Sequence, residues 1–205
     1  MQFLDLQTQL KDFLIFSTLD IEKIDPEFHN QRLSEWQEKE YIRKITKEYY
    51  IFSDLEINES VLFLIANKIY SPSYISFEMA FSYYNLIPEA VYGVTSASSK
   101  KTNHFKTDLA EFIYHSIKPE LMFGYSLVEY QGHYFKIAEI EKALLDYFYI
   151  NSQLKTANDF IEMRFNIEEF KNRIDREKLI KYLKAFDNKS LEERINNLLE
   201  YIDHA

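Results

Sequence analysis

Cysteine is absent from this 205-residue chain, which removes disulfides, thiolate nucleophiles, iron-sulfur clusters and cysteine-ligated zinc together. Glycine is nearly absent. Gly93, Gly124 and Gly132 are too scattered for a dinucleotide fingerprint or a phosphate-cradling P-loop. The same scarcity, with no G-x-S-x-G elbow, leaves a Ser-His-Asp hydrolase without its nucleophile turn. No run approaches the roughly 20 apolar residues that span a bilayer, so no membrane association is expected. The amino terminus MQFLDLQTQLKDF carries acids and no apolar run with a basic flank, which argues against a secretory signal and for a cytoplasmic protein. Excess positive charge is lacking too. With 24 Lys+Arg against 33 Asp+Glu the formal net charge is -9, which argues against a protein-wide grip on nucleic acid and leaves only a local basic patch for that purpose.

What the chain does have is apolar and aromatic side chains. It is 46% hydrophobic, with 17 Phe, 16 Tyr and one Trp, enough for one medium core or two small ones. Most of these rings read as core and surface filler.

Phe3, Leu6, Leu10, Phe13 and Leu14 recur at helical spacing and predict a first helix over residues 2–16. Ser17 and Thr18 can cap a second helix ending at Ile24, and Asp25-Pro26 has the composition that opens a third, with His29, Leu33 and Trp36 on one face. From Tyr41 to Phe52, β-branched and aromatic residues flank a polar Thr46-Lys47-Glu48 tip, the pattern of a short hairpin. Three small helices and a hairpin follow the order of a winged helix-turn-helix, whose third helix enters a DNA groove while the wing approaches the backbone. Dimerisation and protein-docking modules share that order.

Charge bears on the choice. Residues 1–55 hold seven bases and eleven acids, a net of -4 that is unfavourable for DNA. With Leu33 and Trp36 inward, the third helix turns Gln31, Ser34, Glu35 and Glu38 outward. Gln31 and Ser34 suit base edges, whereas the glutamates would meet phosphates badly. The hairpin is better placed, since Lys39, Arg43, Lys44 and Lys47 oppose only Glu40 and Glu48. DNA contact is therefore assigned to Gln31, Arg32 and Ser34 on the helix and to Arg43, Lys44 and Lys47 on the wing.

Beyond residue 55 a helix is expected over Ile57 to Ile69, then a break at Ser71-Pro72 and a helix from Phe77 to Tyr84 capped by Ser76. Val91 to Ser98, Phe112 to Lys118, Tyr125 to Tyr130 and His133 to Ile137 read as strands of a mixed or antiparallel sheet. Helical spacing returns over Ala138 to Ile150, Thr156 to Arg164, Asp175 to Phe186 and Ser190 to Ile202, the last opened by a Ser190/Glu193 capping box.

The segment ANKIYSPSYISFEMAFSYYNLIPEAVYGVT, Ala66 to Thr95, is followed by SSKK (Ser98 to Lys101), HFKT (His104 to Thr107), FIYHSIK (Phe112 to Lys118) and KIAEIEKALLDYFY (Lys136 to Tyr149). In this order and spacing the chain resembles the AbiEi-type antitoxins of type IV toxin-antitoxin systems over most of its length. The resemblance implies a winged-helix amino-terminal domain that represses the operon by binding inverted repeats. It also implies a carboxy-terminal domain that counteracts a nucleotidyltransferase-like toxin, for which a stable complex is not required. Three positions depart from the family pattern: Glu48 stands at the wing tip where relatives commonly carry glycine, Asn85 replaces a glycine before Leu86, and Ile140 stands where proline often precedes EKA.

Other side chains invite chemistry and have plainer readings. Ser73-Tyr74-Ile75-Ser76 more simply satisfies a turn and caps the next helix. The loop holding Lys100, Lys101, His104 and Lys106 contains no acid and suits a phosphate backbone, although solvated charge runs are common. Lys142 and Asp146 are four apart on a helix and read as a buried ion pair, with Glu141 adjacent, rather than as an acid-base set. His104, His115 and His133 lie in separate elements with no metal-binding spacing, so no metal site and no cofactor are assigned.

The expectation is an α+β protein with a winged helix-turn-helix over residues 1–54 and a mixed α/β domain over 55–205 that ends in a helical bundle. It would act as an antitoxin and a non-enzymatic autoregulator that binds operator DNA as a homodimer or cooperatively, because inverted repeats demand two reading heads. The alternatives are a protein-interaction module that does not bind DNA and a nucleic-acid-processing enzyme built on Glu141, Lys142 and Asp146.

Overall fold

The apolar stripe that opens the chain forms a helix only as far as Gln9, α1 (Phe3–Gln9), in a computed structural model that describes residues 1–88 and 91–205. The helix does not run through Phe16, because that residue is claimed by a strand. β1 (Phe16–Ser17) pairs antiparallel with Tyr50 and Tyr49, and the Phe16 ring is fully buried 4.9 Å from that of Phe52. α2 (Thr18–Ile24) follows with the expected cap. Ser17 Oγ accepts from Asp20 N at 3.2 Å while Ser17 N donates to the Asp20 carboxylate at 2.9 Å.

Burial pushes the Asp20 carboxyl up, but the Ser17 hydrogen bonds and the charges of Lys68 and Lys23 outweigh it and hold Asp20 below the usual carboxylate range. A lowered native pKa contributes stability that is complete above the unfolded value and is lost as pH falls through the native one. Ser17→Ala should therefore cost about 1 kcal/mol at neutral pH. It should also make the stability of this region less steep in acid below about pH 4, as read by urea denaturation across a pH series.

The third helix, α3 (Gln31–Glu38), starts at Gln31 rather than at Asp25. Asp25 is engaged elsewhere: its carboxylate accepts from the Met1 amino group at 3.1 Å and from Glu27 N at 3.2 Å, and residues 25–30 form turns. The hairpin follows as expected, β2 (Ile42–Lys44) and β3 (Tyr49–Phe52), with Ile42 opposite Phe52 and Lys44 opposite Tyr50. In this three-stranded sheet β3 is central, and its side chains alternate. Tyr50 and Phe52 join Leu6, Leu10, Ile21, Leu33, Trp36 and Ile42 in one apolar cluster, whereas Tyr49 and Ile51 pack into the larger core built by the rest of the chain.

Asn58 caps α4 (Glu59–Ile69) by accepting from Val61 N at 3.1 Å. Next come β4 (Ser73–Ile75), α5 (Phe77–Tyr83), β5 (Val94–Ser98), β6 (Asn103–Lys106), β7 (Glu111–Ser116), β8 (Tyr125–Tyr130) and β9 (His133–Ala138). They form a mixed six-stranded sheet in the order β6-β7-β5-β4-β9-β8, with β4 parallel to β9 and β5 parallel to β7. Two of these strands were not expected. Ser73 to Ile75 of SYIS are no turn but a strand in the middle of the sheet, and the second half of the basic loop is the edge strand β6. The sheet lies between helices. On one face the Tyr114 hydroxyl donates to Ala66 O of α4 at 2.7 Å; on the other, Tyr74 reaches α6 (Ile140–Ile150).

The chain ends in α7 (Ala157–Glu162), α8 (Ile167–Arg173), α9 (Arg176–Phe186) and α10 (Lys189–His204), of which α8 was not anticipated. Asn188, not Ser190, caps α10, accepting from Leu191 N at 3.0 Å; Ser190 is inside the helix and accepts from Arg194 Nη1 at 2.8 Å. Asn85 has φ 58°, a left-handed conformation that asparagine tolerates best after glycine, and Ile140 is the first residue of α6, where proline is also accommodated. Glu89 and Ala90 of the NLIPEA segment lie outside the described residues. No described helix is long and apolar enough to cross a membrane.

Candidate nucleic-acid interface

Burying Leu33 and Trp36 turns Gln31, Ser34, Glu35 and Glu38 of α3 to solvent, as the helical wheel requires. Arg32, between them, is not free. Its guanidinium Nη1 donates to Met1 O, so this arginine and Asp25 together brace the start of the chain against the entry to α3.

The hairpin separates its cations by face. Arg43 lies opposite Ile51, on the side packed toward the larger core; it is half-buried, and its Nη2 donates to Leu55 O at 3.2 Å. It secures the exit from the hairpin and does not extend from the wing. Lys44 and Lys47 are exposed and, like Lys39, make no ion pair among the described residues. Glu48, also exposed, fixes the tip through its backbone, where its carbonyl accepts from Thr18 N at 3.1 Å.

The second basic patch is partly neutralised. On β6, His104 Nε2 and Lys106 Nζ both reach the carboxylate of Glu111 on β7, at 2.8 and 3.2 Å. Hydrogen bonding from Lys106 and then His104 outweighs the opposing effect of burial and lowers the Glu111 carboxyl. Lys101 is exposed, and Lys100 Nζ stands over the Tyr70 ring at 5.2 Å. Cross-strand register brings Glu111 to this patch from beyond the segment, which itself holds no acid.

The acid and base residues of EIEKALLD form a buried network. Lys142 and Asp146, both 0% exposed, form an ion pair one turn apart on α6. Tyr74 and Ser76 of the SYIS segment donate to Asp146 Oδ2 at 2.8 and 2.9 Å, and Lys142 Nζ donates to the Tyr74 hydroxyl at 2.7 Å. Ser76 thus spends its hydroxyl on Asp146 and makes no side-chain cap on α5. Burial pushes the Asp146 carboxyl up and the Lys142 ammonium down, while their mutual attraction opposes both movements; burial also raises Tyr74 well above the usual phenol range. Glu141 Oε1 accepts from Asp175 N at 2.8 Å, and its other oxygen is 3.6 Å from Lys178 Nζ. These three side chains are almost fully buried among structural partners. Close packing extends to Gly124 (φ 68°), where a Cβ would come within 2.9 Å of the Tyr182 ring and 3.1 Å of Lys142.

Among the described residues no three His, Asp or Glu side chains converge as a metal site. No protein-family model matches the chain, and no curated protein is recognisably similar to it.

Proposed function

We propose that the chain is an antitoxin and operon autoregulator of the AbiEi type. On this reading residues 1–54 are a winged helix-turn-helix, two copies of the chain engage inverted repeats, and the part from residue 55 onward counteracts a nucleotidyltransferase-like toxin. The observation that carries the DNA-binding half is the juxtaposition of an exposed Gln31/Ser34 face on α3 with a hairpin whose Lys44 and Lys47 lack acidic partners among the described residues. Gln31 and Ser34 read base edges, and the two lysines neutralise phosphates. Arg32 and Arg43 support this surface from behind through the backbone carbonyls of Met1 and Leu55.

The test is a fluorescence-anisotropy titration with DNA from upstream of the operon over a series of salt concentrations. Losing two phosphate contacts in Lys44→Ala/Lys47→Ala should reduce the slope of log K against log salt by about 1.8, near 0.9 per contact. Lys181→Ala/Lys184→Ala removes two exposed cations of α9 and should leave the slope unchanged. Equal slopes for the wing variant and the wild type would refute the wing assignment. Absence of any salt-dependent binding would favour the protein-docking reading, to which the exposed Glu35 and Glu38 on α3 contribute.

A further inference from the structure

The six-stranded sheet ends on one side in β8, which pairs with β9 alone among the described strands. Their register runs without a bulge from Tyr130 opposite His133 to Tyr125 opposite Ala138. The turn between them sets which backbone groups face outward. Gln131 and Gly132, at φ 51° and 81°, form a two-residue left-handed loop, which closes on a hydrogen-bonded pair, here Tyr130 and His133. Hydrogen-bonded and open pairs then alternate along the ladder. Two bonds confirm the phase: Glu139 N donates to Gly124 O at 2.9 Å, and Lys136 N, in an open pair, turns away from β8 to Asn67 Oδ1 at 2.6 Å. Ser126, Val128 and Tyr130 therefore spend their backbone groups on β9, while Tyr125, Leu127 and Glu129 aim theirs out of the sheet.

This edge lacks the usual protection. Sheet edges are commonly blunted by shortness, proline, bulges or charge. The opposite edge, β6, has four residues and carries His104 and Lys106 tied to Glu111. β8 has six residues, no proline and a single charge, Glu129. Tyr125 stacks on Tyr74, so alternation puts Leu127 and Glu129, with Tyr134 and Lys136 opposite them, on the face toward α6. There Leu127 and Tyr134 are 63% and 62% exposed. Lys136 Nζ stands over the Tyr125 ring at 5.3 Å, and neither it nor Glu129 makes an ion pair among the described residues. The Glu129 carboxylate accepts from Gly132 N at the turn.

We infer that β8 is the seam of a homodimer, pairing antiparallel with β8 of a second copy so that two sheets become one. A two-fold axis through such a seam sets one residue opposite itself, and only Leu127 in that place engages all three outward residues of each strand. Tyr125 then lies opposite Glu129 of the second copy. That register brings a carboxylate to the Lys136 ammonium over Tyr125 and covers the exposed Leu127 with its own counterpart. The inference does not rest on DNA binding, and its test contains no DNA. In sedimentation velocity of the full chain from low to high micromolar concentration, the mass should rise from one chain toward two. Leu127→Lys sets like charges across the axis; it should raise the dimer Kd about tenfold or more and leave the melting temperature of the dilute monomer unchanged. Glu129→Lys and Lys136→Glu should each weaken the dimer, and their combination should restore it. The absence of cysteine makes the register readable. Leu127→Cys faces its own copy across the about 5.5 Å Cα separation of a hydrogen-bonded pair and should form a covalent dimer under copper phenanthroline. Ser126→Cys, opposite Val128, should not. The inference is overturned if the chain keeps the monomer mass at every concentration, which would leave the edge to a strand of another protein. It is equally overturned if Leu127→Lys dimerises like the wild type, if the charge exchange restores nothing, or if Ser126→Cys cross-links as readily as Leu127→Cys.

Discussion

Asp146→Ala is expected to destabilise the larger core by about 3–5 kcal/mol, because it leaves a fully buried ammonium with no counter-charge. The loss extends beyond one ion pair. Tyr74 and Ser76 lose their acceptor, so β4 and the residue that follows it each lose a tie to α6. Restoring volume without charge separates the effects. Lys142→Met/Asp146→Leu should recover a large part of the loss, since burying both charges cost nearly as much solvation as their attraction returned. Urea denaturation of the two variants followed by circular dichroism decides the matter. A cost below about 1 kcal/mol for Asp146→Ala, the scale of an exposed pair, would mean that water reaches the network and that the fold does not rest on it.

Leu33→Ala should cost about 2–5 kcal/mol and should be felt selectively in the first 54 residues. Leu33 belongs to the smaller apolar cluster, together with the only tryptophan of the chain. Trp36 packs against Phe28 and Phe3 at ring separations of 5.5 and 5.7 Å, so its fluorescence reports on that cluster while leaving the larger core silent. In the variant, the fluorescence transition should move to lower urea, with a later transition remaining in the far-ultraviolet signal. On the proposed reading of residues 1–54, DNA affinity should fall wherever the first transition is complete. Coincident movement of both probes would show instead that the two clusters melt as one unit.

The parts of this fold that were legible in the sequence are those written in local chemistry. The Ser17 cap, the Tyr41 to Phe52 hairpin, the β8/β9 hairpin about Gln131-Gly132 and the Lys142/Asp146 pair all depend on residues a few positions apart. What escaped depends on distant partners. Phe16 continues a helical stripe and is removed from it by Tyr50; the three residues of β4 are too few to show a period and are recognisable as a strand only beside β5 and β9. Asp25 looks like a helix cap until the amino terminus occupies it. The same division runs through the candidate interface. The exposed positions of α3 follow from its wheel, but nothing in the sequence says that Arg32 holds Met1 or that Arg43 faces inward to Leu55.

The alternation along β3 has a mechanical consequence. A strand that gives Tyr50 and Phe52 to one interior and Tyr49 and Ile51 to the other is a party wall, and neither room can be moved without demolishing it. The small unit is therefore no head on a slack tether: its bearing is inherited from the body. A second copy docked through the body would hold its own head at a preset angle, so the span between the two would be decided by the architecture before any partner arrived.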